Sequence, residues 1–261
     1  MSDAPQTQTP APAAQPMIKV QGLTIGWGPI TLMQDVSFEV AQGDIFVILG
    51  GSGCGKSTLL RHLIGLETAK GGTIDIKGRG APKLEIAAPP AGVMFQSGAL
   101  FGSMTLAENV ALPLRRWTSL SERDIDTVVR DRLRLVSLDG FENHLPAEIS
   151  GGMKKRAGIA RALALEPDLL FLDEPSAGLD PISAVELDDL ILTLNSALGV
   201  TTVLVTHELE SIFKVAKNCV MLDKEAQGAI AHGDPRWLRD HSDDARVTNF
   251  FNRRSPTGAK A

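Results

Sequence analysis

The sequence predicts an α/β fold in which a parallel-sheet core is interrupted by a helical insertion. Ile45-Phe-Val-Ile-Leu49 is continuously apolar, as a parallel strand buried on both faces is, and it runs through glycines into the helical stretch Ser57–Ile64. Leu169-Leu-Phe-Leu172 is a second such strand and ends in Asp173-Glu174. Between the two, residues from about 103 to 165 read as mostly helical.

Residues 1–16 are Ala, Pro, Gln and Thr with little to bury, and are expected to form a disordered tail. Met17 begins the patterned sequence and is a candidate start. Short strands are expected from Ile18 to Val40, with turns at Gly22 and Gly26–Pro29 and with Val36–Val40 alternating as a half-buried strand does. Gly72–Gly78 and Gly92–Phe95 read as further strands. Pro113 and the segment from Gly140 to Pro146 are expected to break the helical region. After Pro167 come the strand 169–172, a helix over 182–198 and the strand Thr202–Thr206. In that helix Leu187, Leu190, Ile191, Leu194 and Leu198 form a one-sided apolar stripe. Cys219–Asp223 and Ala229–His232 suggest a terminal hairpin, with a polar tail from about Asp234. No internal repeat is visible.

A chain of 261 residues, 43% apolar, can bury a core as one large domain or two small ones. Its net charge of −5 argues against nucleic acid as a partner, since that affinity comes from clustered Lys and Arg. Cys54 and Cys219 imply neither a disulfide framework nor a zinc site and suit a reducing cytosol. No apolar run approaches the ~18–20 residues of a membrane-spanning helix, and the N-terminus lacks the pattern of a secretory signal. Membrane work is therefore expected from a separate subunit.

Gly50-Gly51-Ser52-Gly53-Cys54-Gly55-Lys56-Ser57 matches the phosphate-loop pattern G-x-x-x-x-G-K-S and is followed by Thr58. Its glycines let backbone N–H groups turn inward around phosphate oxygens, and the following helix adds its positive end. Lys56 would reach the β- and γ-phosphates of ATP, and the Ser57 hydroxyl would bind Mg²⁺. Cys54 fills a tolerant loop position, with a thiol open to modification beside Lys56.

Asp173 and Glu174 end a buried strand and so reach the edge where ligands bind in such sheets. Asp173 would hold the Mg²⁺ shell and Glu174 would take a proton from the attacking water. His207 ends Thr202–Thr206, reaches the same edge and would donate to the γ-phosphate. The other histidines (62, 144, 232 and 241) have no such setting and are assigned to packing or the surface. Gln96 follows the strand Gly92–Phe95 and would bind Mg²⁺ or orient the water. A lone Gln is ordinarily a solvated surface residue, so this role comes from the family pattern below.

Ile149-Ser150-Gly151-Gly152-Met153 is a turn opening a helix, 23 residues from Ser150 to Asp173. Ser150 can cap that helix, and the glycines allow close approach. Lys154, Lys155 and Arg156 crowd its first turn, where the dipole disfavours cations. These cations make better sense facing an anion than on a free helix, the alternative being a solvated basic face.

As a set, these residues resemble ATP-binding cassette (ABC) ATPases over about residues 17–235. Trp27, 29 residues before Lys56, matches the adenine-stacking aromatic, and Gln96 matches the Q loop. Ser150–Met153 matches the signature, Asp173-Glu174 the Walker B pair, Ser176–Asp180 the D loop and His207 the switch histidine. The resemblance implies a P-loop NTPase fold: a RecA-like parallel-sheet core, an antiparallel β subdomain and a helical subdomain over about 103–165. It also implies that each subunit's Ser150 turn touches the ATP held by its partner. Residues 236–261 are then a C-terminal tail and a candidate partner-binding segment.

Met94–Phe101, Met104–Val110, Ser150–Met153, Gly178–Ile182 and the Phe250-Phe-Asn-Arg tail are similar to the Mla (maintenance of lipid asymmetry) type. That likeness implies a homodimer at the cytoplasmic face of the inner membrane, bound to a permease that serves a periplasmic lipid-binding protein of the MCE type. A small STAS-domain protein is a further candidate subunit, and phospholipid is the cargo. Met at 153, where Gln is usual, cannot complete an S-x-x-Q capping box. Two other readings keep the fold: an importer ATPase for amino acids or ions, and a non-transport switch acting on DNA or ribosomes. The switch would need paired cassettes, coiled coils or basic arms, none of which this acidic sequence shows.

Overall fold

The computed structural model describes residues 15–82 and 88–254. Most of the predicted tail 1–16 and the last seven residues lie outside them. The chain builds two sheets. β1 (Ile18–Trp27), β2 (Ile30–Val40) and β4 (Gly71–Ile76) form an antiparallel sheet in the order β2-β1-β4. The larger sheet has the order β5-β6-β7-β3-β8-β9. In it β3 (Ile45–Gly50), β5 (Gly92–Met94), β6 (Leu169–Asp173), β7 (Thr201–Val205) and β8 (Asn218–Asp223) run parallel, and β9 (Gly228–Gly233) turns back antiparallel.

The continuous apolar runs have a direct cause in this arrangement. Ile45, Val47 and Leu49 face the helices on one side of the large sheet, while Phe46 and Ile48 face the small sheet on the other. β6 divides the same way, with Leu170 and Leu172 on one side and Leu169 and Phe171 on the other. With apolar layers on both faces, period-two alternation disappears from the sequence.

β1 and β2 are longer than the expected short strands. Gly22 makes no turn; it sits at a register shift inside β1, with φ 57°. Strand pairing absorbs the glycine as a bulge, so the strand continues. Pro113 likewise does not break the insertion. It lies inside α2 (Leu106–Trp117), which starts with a capping box between Thr105 and Glu108 and buries Leu106, Val110, Ala111 and Leu114. That capping and packing outweigh the ~3 kcal/mol cost of a helical proline.

α3 (Glu122–Leu135) and α4 (Gly151–Ala162) complete the insertion. α1 (Lys56–Leu63) follows the glycine loop, and α5 (Pro181–Leu198) and α6 (Leu209–Val215) flank β7. The stripe on α5 is shorter than expected. Leu198 is half exposed, whereas Asp188 and Asn195 are buried and hydrogen-bonded, Asp188 to the Ser211 hydroxyl and Asn195 to the Gly43 and Val200 carbonyls.

The polar tail expected from Asp234 is instead helical as far as Phe251. α7 (Pro235–His241) and α8 (Ala245–Phe251) are capped by Asp234 and Asp244. They send Leu238, Val247 and Phe251 into the core beside α6. Phe251 packs against Phe213 with ring centroids 5.6 Å apart and the rings tilted by 41°. Apolar residues at 238, 247 and 251 outweigh the polar average of the segment. Phe251→Ala is therefore expected to destabilise the chain by about 3 kcal/mol, read from the urea midpoint; an unpacked tail would leave the midpoint unchanged.

Candidate active site

β3, β6 and β7 are parallel, so their C-terminal ends share one edge. They open a cleft of about 820 Å³ there. Its walls include Trp27, all of Gly50–Thr58 except Cys54, Gln96, Glu174 and His207. Residues from 27 to 207 in the chain thus come together as expected.

The glycine loop turns because its backbone takes conformations other residues resist. Gly50 has φ 146°, and a Cβ there would lie 2.3 Å from the Leu222 carbonyl oxygen. Lys56 Nζ donates to the carbonyl oxygens of Gly50, at 2.9 Å, and Gly51, at 3.0 Å. The lysine thus lies along the loop in position to exchange these carbonyls for phosphate oxygens. Cys54 does not line the cleft. It is buried, and burial pushes its thiol above the ordinary value against the opposing pull of Lys56. The thiol open to modification is therefore corrected to a packed one.

Glu174 carries the most constrained geometry. It has φ 46°, a left-handed conformation uncommon outside glycine. Its N–H donates to the Val205 carbonyl at 2.8 Å. One carboxylate oxygen, Oε1, lies 2.9 Å from His207 Nδ1. A carboxylate accepts, so this contact puts the imidazole proton on Nδ1. The other oxygen, Oε2, is buried without a partner.

Asp173 sits one residue deeper, buried, with Oδ1 also lacking a partner. Burial raises its pKa, and the neighbouring Glu174 charge adds to the effect, against Lys155, Lys56 and Arg61. Two orphaned carboxylate oxygens beside a hydroxyl-bearing phosphate loop fit a hard divalent cation such as Mg²⁺, which takes oxygen ligands. Ser57 and Gln96 are among the cleft's further oxygen-bearing side chains.

Two expected groups lie outside this cleft. Ser150 caps α4, accepting from Met153 N at 3.2 Å, and Ser150 and Gly152 line a separate depression with Met153 and Ser183. Met153 is partly buried against the core, and a hydrophobic contact takes the place of the reciprocal capping bond. Asp180 caps α5, with its carboxyl held below the usual range first by the Ser183 hydroxyl.

The basic cluster of α4 does not act as one face: Arg156 lines the Ser150 depression, whereas Lys155 turns inward. Arg156 pairs with Glu186 at 2.8 Å, and Lys155 is buried and bonded to carbonyls of its own chain. Helix rotation decides this: successive residues point about 100° apart, so three adjacent cations cannot share one face.

Leu32 and Phe250 also line the cleft, and neither is assigned to it by a motif, Phe250 having counted only toward the Mla likeness. The apolar spacing Val247, Phe250, Phe251 marks an amphipathic turn, but nothing in the sequence brings it beside His207. Because Asp173 is buried at an energetic cost, Asp173→Asn is expected to stabilise the nucleotide-free chain by about 1 kcal/mol, read from urea unfolding. A lower midpoint would contradict the orphaned-carboxylate reading.

Comparison with known proteins places this cleft in a family. The sequence profile of the ABC transporter family matches residues 33–177. The chain is 41% identical over 242 residues to the probable ribonucleotide transport ATP-binding protein mkl of Mycobacterium leprae, covering 91% of this chain and 69% of that one. It is 38% identical over 241 residues to the intermembrane phospholipid transport system ATP-binding protein MlaF of Escherichia coli, covering 90% and 88%. Among solved structures, the dimeric post-hydrolysis state of the ATP-binding cassette MJ0796 bound to ADP and Pi aligns with TM-score 0.74 and 28% identity, covering 84% of this chain and 98% of that one. CbiO1 from Clostridium perfringens aligns with TM-score 0.77 and 26% identity, covering 90% and 94%. With the fold, the cleft and these relatives in agreement, the chain belongs to the ABC transporter family, as one of its ATP-binding and ATP-hydrolysing cassettes.

Proposed function

We propose that this cassette drives phospholipid transport between inner and outer membranes, as a homodimer peripheral to the inner membrane and bound to a separate permease. The observation that carries the dimer is the separation between Ser150 and the cleft: one chain cannot bring its own signature turn to the nucleotide it holds. Two copies facing head to tail would each complete the other's site with Ser150, Gly151 and Gly152, and the D-loop Asp180 would lie at the same seam. MJ0796, itself dimeric, supports this arrangement. The phospholipid cargo draws on the likeness to MlaF, which extends over 88% of that protein. The name carried by mkl favours a second reading, a ribonucleotide cargo on the same motor.

In the proposed cycle Trp27 stacks on adenine, and the loop amides of Gly51–Thr58 with Lys56 hold the phosphates. Mg²⁺, held by Ser57, Gln96 and Asp173, would screen the phosphate charge. Glu174 accepts the proton of the attacking water. Glu174 Oε1 and His207 Nδ1 are in hydrogen-bond contact, so in this reading the base and the γ-phosphate donor lie side by side. With its proton on Nδ1, His207 donates from Nε2 only as an imidazolium or after the ring rearranges.

A groove of about 280 Å³ beside the Q loop offers the permease a seat. Leu66, Val93, Phe95, Pro113 and Leu165 make it mainly apolar, and it joins the sheet edge to the insertion. An MCE-type protein would be reached through the permease, and a STAS-domain protein would be a further subunit.

Glu174→Gln is expected to bind ATP, hydrolyse it at least about 100-fold more slowly and accumulate as a closed dimer on gel filtration; near-normal hydrolysis would remove Glu174 as the base. Leu66, 53% exposed, can be changed without disturbing the core. Leu66→Glu is expected to leave ATP binding intact and to abolish copurification with the permease from native membranes. Recovery of bound phospholipid with the unaltered complex supports the cargo assignment, and recovery of a polar-solute permease overturns it.

A further inference from the structure

One buried cation joins the signature helix, the Q loop and the end of β6. Lys155 on α4 is 6% exposed. Its ammonium donates to the main-chain carbonyl of Gln96, and to that of Glu174 at 3.0 Å. Burying a cation costs free energy that a methionine of similar length would not. Satisfied hydrogen bonds offset part of that cost, as do the nearby negative charges of Glu174, Asp173 and Glu208.

What these bonds hold is specific. Glu174 is in a left-handed conformation that needs its surroundings to maintain it. β7 fixes the N–H side of the residue through Val205, and Lys155 fixes the carbonyl side, helped by the Ala177 N–H at 3.2 Å. The direction of the Glu174 side chain depends on both. Further along α4, Arg161 donates to the carbonyls of Ala99, at 2.7 Å, and Gly98, at 2.9 Å. A Cβ on Gly158 would approach Gly98 Cα at 3.2 Å, so helix and loop touch backbone to backbone. α4 thus grips the Q loop with two cations, and of these Lys155 also reaches Glu174.

We propose that Lys155 is a positioning residue for hydrolysis, holding Glu174 and Gln96 in register with the helix that carries the Ser150 turn. This rests on the reading of Glu174 as the base. It adds a physical link: movement of the Ser150 turn against a partner's ATP passes along α4 to the Glu174 carbonyl. The charge and donor at position 155, rather than its bulk, provide the link.

Lys155→Met, Lys155→Gln and Lys155→Arg separate these contributions. In the Met variant kcat is expected to fall at least about tenfold, with KM for ATP and the affinity for a fluorescent ATP analogue within about threefold of the parent. Arg, which keeps both charge and donor, is expected to restore kcat to within about threefold. In a Glu174→Gln background, Lys155→Met is expected still to form the ATP-dependent dimer. Hydrolysis by the Met variant within about twofold of the parent overturns the proposal, as does a parallel loss of kcat, nucleotide affinity and Tm. If the Met variant does not fold, Gln against Arg decides: a higher kcat for Arg at matched KM supports the link, and equal kcat overturns it. An inactive Glu174→Gln beside an active Lys155→Met removes the Lys155 proposal alone, whereas an active Glu174→Gln removes the underlying assignment.

Discussion

The parallel pairing of β6 with β7 and of β7 with β3 is the constraint on which the rest of this structure depends. Strands pair about 4.8 Å apart, so placing β7 between the other two sets the phosphate loop and the Asp173-Glu174 end roughly 10 Å apart. That gap suits a phosphate chain and a cation, and His207 emerges from the strand between. Had β3 and β6 paired directly, Lys56 and Glu174 would crowd one another. Each central strand buries alternate residues on opposite faces, so all three are held inside the sheet between two apolar layers.

Strain and unmet polar groups gather where that edge meets the cleft. Glu174 is held in a left-handed conformation, and oxygens of both Asp173 and Glu174 are buried without partners. Such features cost stability and make sense at a site built to receive charge. Lys56 meanwhile donates to loop carbonyls and His207 contacts Glu174. Hydrogen bonds rather than a closed cavity thus hold the charged side chains of the cleft.

The helical insertion contributes through α4. Its first turn presents Ser150 and Gly152 away from the chain's own cleft, while Lys155 and Arg161 reach back to the Q loop. One helix therefore belongs to two sites. The C-terminal segment braces α6, the helix that follows His207: Phe251 packs on Phe213, and Arg253 reaches Glu210.

Much was legible from local pattern. Ile45–Leu49 and Leu169–Leu172 announce strands buried on both faces, and the glycine loop announces its own turn, because only glycine tolerates the Gly50 backbone. Pro113, Gly22 and the residues after Asp234 misled for one reason: a single residue's propensity, or a segment's average polarity, is weaker than the packing of a few apolar side chains. The cations 154–156 misled differently, since adjacency in sequence is divergence on a helix. The sequence by itself determined the strands, the phosphate loop and the chemical identity of the residues at the cleft, all of which follow from short-range spacing. Only the tertiary structure decided that Lys155 turns inward to Glu174, that Phe250 joins the cleft and that the Ser150 turn faces away from it. Those contacts join residues far apart in the chain, and their partners are chosen by helix rotation and sheet order rather than by neighbouring sequence.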